Sequence, residues 1–335
     1  MATDRHLNVA LRRQFHALLR FVGVRGARWG GPLATSPAQL SDALKWELTT
    51  QGRGLFQGER VVWPGNASKT RDHRLASQCT PPNVQRGLTW STEHQPPRPI
   101  WNAALVGALR AQQTLSPTCY PHAAEDILEA FRLAYPRSQS AAMLSVAVWS
   151  SVTPWVELTL LQAGAGSLTT VDYNPPKIAT ALPLRTVDVR SLPLLYAGGV
   201  RFDVVVFFSG AEHDGLGRYG EPVEPNGDLM GVREIELFLK PGGFLLLGVP
   251  TAASDNIDFP WHRIYGPARL PRLIEGFTLR GWVWNGQTVR GGLERAEGPP
   301  TLWYDWRKTG RFHPGLRSWK HQPVLVLQKN SSGDL

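Results

Sequence analysis

Glu212, His213 and Asp214 stand in a row just after an apolar run, Val204 to Phe208, and Arg218, Tyr219, Glu221, Glu224 and Asp228 follow closely. A connector needs none of these groups. An imidazole titrates near neutral pH, so His213 suits general-base work, with Glu212 orienting it or a substrate. Asp214, Arg218 and Tyr219 offer a carboxylate, a cation and a phenol to a bound substrate, on a loop whose glycines at 215, 217 and 220 permit positive φ. Three consecutive residues of an extended segment do not converge on one ion, so no metal is predicted. Asp228 reads first as a helix cap.

Other candidates stand where strands end. Ser150, Ser151 and Thr153 follow one apolar run, Asp172 and Tyr173 close a second, Asp188 closes a third and Ser209 a fourth. In an open α/β sheet, ligands bind beyond the carboxyl ends of the strands, where strand order reverses. Asp172 lies 22 positions after Ser150, near the spacing at which an acid grips both ribose hydroxyls of a nucleoside cofactor. Capping or surface duty is the plain alternative for that acid. The turn Ser150-Ser151-Val152-Thr153-Pro154 has no glycine, whereas a dinucleotide needs glycine where backbone approaches its pyrophosphate. S-adenosylmethionine carries no phosphate, so the turn favours it over a nicotinamide. His262 and Arg263, beyond a fifth strand, complete the candidate substrate contacts.

The elements that must position these residues show in the apolar pattern. "HAAEDILEAFRLAY" places Ala124, Ile127, Leu128, Phe131 and Ala134 at helical spacing before Pro136. Strands are predicted at 141–149, in "GSLTTVDYN" up to Asp172, and at 184–189, 202–209 and 244–250. "FTLRGWVWN" and "PVLVLQKN" add two more, whose pairing stays open for want of short hairpin spacing. Between them, one helix is capped by Thr153 and stops at Gly164, another spans 228–239, and Lys240 to Gly243 reads as a turn. Strand and helix in alternation, with strands apolar throughout, predict an α/β, Rossmann-like, mostly parallel sheet with helices on both faces. This domain is expected over residues 121–330, after an irregular basic extension over 1–120.

All of the net charge of +9 lies in that extension: residues 1–120 hold 15 Lys and Arg against 6 Asp and Glu, and residues 121–335 hold 21 against 21. Clustered cations attract phosphate, so contact with nucleic acid or an anionic surface is one reading; arginines dispersed over a solvated face are the preferred one. Cys79 and Cys119 are the only cysteines, which argues against a disulfide framework or a cysteine zinc site, leaves one bridge open and fits a reducing compartment best. A cytoplasmic location is expected. An organelle is the alternative, because the first 28 residues hold six arginines and one acid. No apolar run reaches the ~18 residues of a membrane helix.

Taken together, "VWSSVTPWVE", "TTVDYN", "FSGAEHDGLGRYGEPVEPNGDL", "LKPGGFLLLGVP" and "HRIYGP" resemble the successive signatures of the family called domain of unknown function 268, itself similar to class I S-adenosylmethionine-dependent methyltransferases. The resemblance covers roughly residues 121–270. It implies a cofactor at the first two strand ends, with Ser150 to Thr153 along its methionine part, Asp172 on the ribose and Asp188 near the adenine. Where the family has Gly-Ser, this chain has Ser150-Ser151, which narrows the turn. Two functions are expected from different classes. One is methyl transfer to an oxygen or nitrogen of a polar small molecule such as a saccharide, with Glu212 and His213 handling the acceptor. The other is a catalytically silent binding or scaffold protein on the same fold.

Overall fold

The computed structural model describes residues 60–62, 79, 81–91, 98–135, 141–216, 224, 226–258, 261–303, 305 and 321–330. Its main sheet comprises β1 (Val146–Trp149), β2 (Leu168–Asp172), β3 (Leu184–Asp188), β4 (Phe202–Phe208), β5 (Leu239–Gly248), β6 (Phe277–Trp284), β7 (Gln287–Arg290) and β8 (Val324–Lys329). The strand order is β7-β6-β8-β5-β4-β1-β2-β3. Strands β1 to β5 run parallel, and β8 lies antiparallel to both β5 and β6. Around the sheet lie α1 (Ala103–Arg110), α2 (Ala123–Ala134), α3 (Trp155–Gln162), α4 (Leu192–Ala197), α5 (Gly227–Phe238) and α6 (Leu270–Leu273).

Successive side chains of a strand point to opposite faces, and here both faces are covered. Val146 and Val148 of β1 join Val204, Val206, Leu246 and Val326 under α2 and α3. Ala147 and Trp149 join Val205, Phe207, Leu245 and Leu327 under α4, α5 and α6. This double burial is why the strands read as apolar throughout. The expected mixed α/β architecture is the observed one.

Several local expectations change. β6 and β7 form a tight hairpin in which Trp284 pairs with Gln287, and Asn285 and Gly286 take positive φ of 48° and 73°. An Asn-Gly pair suits a turn whose twist matches the flanking strands; the dipeptide carried the hairpin signal. Lys240 to Gly243, expected as a turn, lie within β5, where its register against β4 slips between Phe202 and Val204. Contacts also cross residue 120. Arg98–Asn102 pairs with both Thr89–Ser91 and Lys177–Ala179, and Leu105 and Leu109 of α1 pack with Leu158 of α3. Cys79 and Cys119, whose pairing the sequence left open, are joined in a disulfide, a bond that persists in oxidising surroundings. No helix among the described residues is long and apolar enough to cross a membrane. The arginine-rich first 28 residues lie outside the described ones.

Candidate functional site

The first turn leaves β1 through Ser150, which has φ 61° and donates its N–H to the Val171 carbonyl at 2.9 Å. That left-handed conformation suits glycine and burdens an L side chain. Trp149 beside it turns into the core, its ring 6.0 Å from Phe238, so it does not fill the space above the strand ends. Thr153 does not cap α3, which begins at Trp155 without a side-chain cap; the Thr153 carbonyl instead accepts from Trp155 N (2.8 Å) and Ser151 Oγ (3.1 Å). Trp101 Nε1, from the N-terminal third, donates to the Val152 carbonyl at 2.9 Å and so ties that third to the turn.

Asp172 ends β2 directly opposite Asp188 of β3. Its Oδ2 accepts the Ser151 N–H at 3.0 Å and its Oδ1 the Asn174 N–H at 2.7 Å, and each carboxylate oxygen keeps further acceptor capacity for a sugar diol. Burial pushes the Asp172 carboxyl up; the two amides oppose this and the charge of Asp188 adds to it. Tyr173 stands exposed beside it. Both oxygens of Asp188 accept from the Arg190 guanidinium, and Arg98 lies 3.9 Å away. Burial works to raise this carboxyl, but the Arg190 hydrogen bonds and charge prevail and hold it below the usual range.

A second cluster follows β4. Ser209, at φ 53°, donates through Oγ to Glu212 Oε1 at 2.7 Å, and the Tyr120 hydroxyl lies 3.0 Å from the same Oγ. Glu212 is buried. His213 Nδ1 is 2.6 Å from the Trp261 carbonyl; only a protonated Nδ1 donates there, so Nε2 is the nitrogen that takes up a proton. Glu212 Oε1 sits 3.6 Å from that Nε2, well placed to stabilise an imidazolium.

The remaining candidates serve to hold this loop. Arg263 is 1% exposed and donates through Nη1 to the Asp214 carbonyl (2.6 Å) and through Nη2 to the Glu224 carbonyl (3.5 Å). His262 is buried next to it, and the Asp214 carboxylate faces Gly231 of α5 so closely that a Cβ there would stand 2.8 Å from Oδ2. Asp228, expected as a cap, is instead fully buried in the first turn of α5. It accepts from Arg269 Nη2 (2.6 Å), Arg269 Nε (2.9 Å) and the Tyr265 hydroxyl (3.1 Å). Burial raises its carboxyl, yet the guanidiniums of Arg263 and Arg269 hold it below the ordinary range. Arg218 and Tyr219 lie outside the described residues.

Among the residues that sequence reasoning missed are Tyr120, Arg269 and Glu157, the last lying 3.1 Å from Ser151 Oγ of the first turn. Glu157 is the one charged residue of α3, a signal visible in the sequence. Tyr120 and Arg269 had none, because their partners are remote along the chain.

Residues 144–288 match the family described as "Caenorhabditis protein of unknown function, DUF268". Nothing among curated proteins matches the chain in sequence. Among solved structures it is similar to the N-methyltransferase NodS of Bradyrhizobium japonicum WM9 in complex with S-adenosyl-L-homocysteine, at 14% identity and TM-score 0.37 over 66% of this chain and 90% of that one. It is also similar to a protein of Listeria monocytogenes described as a "putative class i s-adenosylmethionine-dependent methyltransferase", at 13% identity and TM-score 0.37 over 69% and 67%. A third similar structure is the 1,6-didemethyltoxoflavin-N1-methyltransferase of Burkholderia thailandensis, at 16% identity and TM-score 0.34 over 64% and 85%.

Proposed function

We propose that this protein is an S-adenosylmethionine-dependent methyltransferase acting on an oxygen or nitrogen of a polar small molecule. The observation that carries the reading is the sheet itself. Strand order reverses between β1 and β4, which sets the crevice for a nucleoside cofactor beside the glycine-free Ser150–Thr153 turn, with the Asp172–Asp188 pair closing β2 and β3.

The residues present fit that cofactor. Asp172 keeps acceptor capacity for the ribose diol, and the acids around the turn suit a positively charged sulfonium. The Ser150–Thr153 turn, with no glycine nest for phosphate, lies along the methionine part, and Tyr173 and Asp188 flank the adenine. When bound, S-adenosylmethionine supplies an activated methyl group for in-line displacement. The chain's own work is then to orient the acceptor and remove its proton. His213 Nε2 takes that proton, Glu212 stabilises the resulting imidazolium, and Ser209 with Tyr120 holds Glu212 in place. Arg218 and Tyr219 belong to the acceptor side in this reading, and Arg263 supports them by fixing the loop through the Asp214 carbonyl. Saccharides fit the acceptor class, since such a site offers carboxylate and imidazole to hydroxyl groups.

Calorimetry with S-adenosylhomocysteine tests the reading. Losing charge-assisted hydrogen bonds of about 1.5–3 kcal/mol, Asp172→Ala should bind roughly 10–100-fold more weakly. His213→Ala should bind equally well, while transfer of labelled methyl groups to polar extract fractions falls by about 10²–10⁴. Absence of binding by the unmodified chain would instead support a silent scaffold, the reading that Ser150 at a glycine conformation favours.

A further inference from the structure

Glu157 is fully buried, yet its carboxyl meets two hydroxyls and its own backbone N–H. Thr170 Oγ1 donates to Oε1 at 2.8 Å, and Ser151 Oγ lies 3.1 Å from Oε2. Ser151 Oγ is also 3.1 Å from the Thr153 carbonyl. A serine hydroxyl has one proton, and here two acceptors stand at equal distance from it. Two separate, two-centre bonds form when Oε2 is protonated: the carboxylic acid then donates to Ser151 Oγ, and the Ser151 hydroxyl donates to the Thr153 carbonyl. The charge that faces Glu157 is that of Asp172 at the end of β2, which itself stands opposite Asp188 of β3. No cation among the described residues pairs with it. A carboxyl buried without a cation favours its neutral form.

We propose that Glu157 is a positioning residue for the first turn: as the neutral acid it closes the relay Glu157–Ser151–Thr153, and on ionising it accepts the Ser151 hydrogen bond and releases the Thr153 carbonyl. That the turn so held is a cofactor turn rests on the function proposed above. Burial, opposed by the Thr170 hydroxyl, the residue's own backbone N–H and the Ser151 hydroxyl and assisted by the Asp172 charge, pushes the Glu157 carboxyl up to about 7, so the relay opens within the physiological range.

Glu157→Gln tests this, because the amide imitates the neutral acid: it donates to Ser151 Oγ and accepts from Thr170 without titrating. The folded carboxyl titrates above its ordinary value, so the wild-type chain should lose stability as pH rises from about 4.5, where the unfolded carboxyl ionises, and level off near 7. Melting of the full chain should therefore show the variant equal to wild type at pH 4 and several degrees higher at pH 8. A difference independent of pH, or a variant less stable at every pH, overturns the proposal. Should the variant not fold, 13C labelling at glutamate side-chain carboxyls of the wild type serves instead. One resonance should titrate near 7 and shift its midpoint in Ser151→Ala; no such response overturns the relay. S-adenosylhomocysteine affinity should fall several-fold from pH 6 to 8.5 in wild type and stay level in Glu157→Gln. Loss of binding at every pH would defeat the methyltransferase reading, while the carboxyl titration still decides the relay.

Discussion

Ser150 carries a side chain at a φ of 61°, a conformation that costs an ordinary residue about 1–2 kcal/mol. Glycine removes that penalty but has more freedom to lose on folding, so Ser150→Gly should stabilise by about 0.5–1 kcal/mol in urea denaturation; an unchanged midpoint would show that the turn relaxes without strain. At this scale residue types were legible and partners were not. Asp172, Glu212 and His213 could be picked out because ionisable groups just past apolar strands have few structural reasons to be there. Arg263 looked like the same kind of residue, but its guanidinium is taken up by the Asp214 and Glu224 carbonyls. Nothing at position 120 announces a hydroxyl contact 89 residues away.

Elements depend on single residues in turn. Asp126 of α2, 2% exposed, accepts the N–H groups of Asn285 (3.0 Å) and Gly286 (2.7 Å) at the β6–β7 turn. Burial raises its carboxyl and those two amides oppose the rise. Asp126→Asn replaces one acceptor by a donor facing a donor, so it should destabilise by about 1–3 kcal/mol, read as a lower urea midpoint with the α/β circular dichroism retained. The parallel strands and α2 were legible because double burial and helical period leave an apolar signature over many residues. The ends were less so: α3 starts one residue later than its Pro154 suggested, since no side chain marks the cap. The small sheet around Arg98–Asn102 escaped, because strands of three to five residues are too short to show a period.

Across the whole molecule, the buried Asp228 joins α5 to Arg263 beneath the loop and to Arg269 before α6. Breaking a buried pair leaves uncompensated charge, so Asp228→Asn should cost about 3–5 kcal/mol. Its folded carboxyl titrates below the ordinary value, so the wild-type advantage is complete above about pH 4 and disappears as pH falls through the folded value. Stability measured from pH 2 to 7 should show the two proteins converging at the acid end; a constant gap would place the effect in packing alone. The parallel half of the sheet was readable from alternating strands and helices. The seat of β8 was not, because an apolar strand at the end of such a pattern pairs equally well at either edge. That seat constrains synthesis. β8 is translated after every other strand of the sheet yet lies between β5 and β6, so until the ribosome has passed Lys329 the β6–β7 ribbon has no neighbour and β5 keeps a raw flank. During that interval the nascent chain is at its most adhesive, and a holdase has the most to protect.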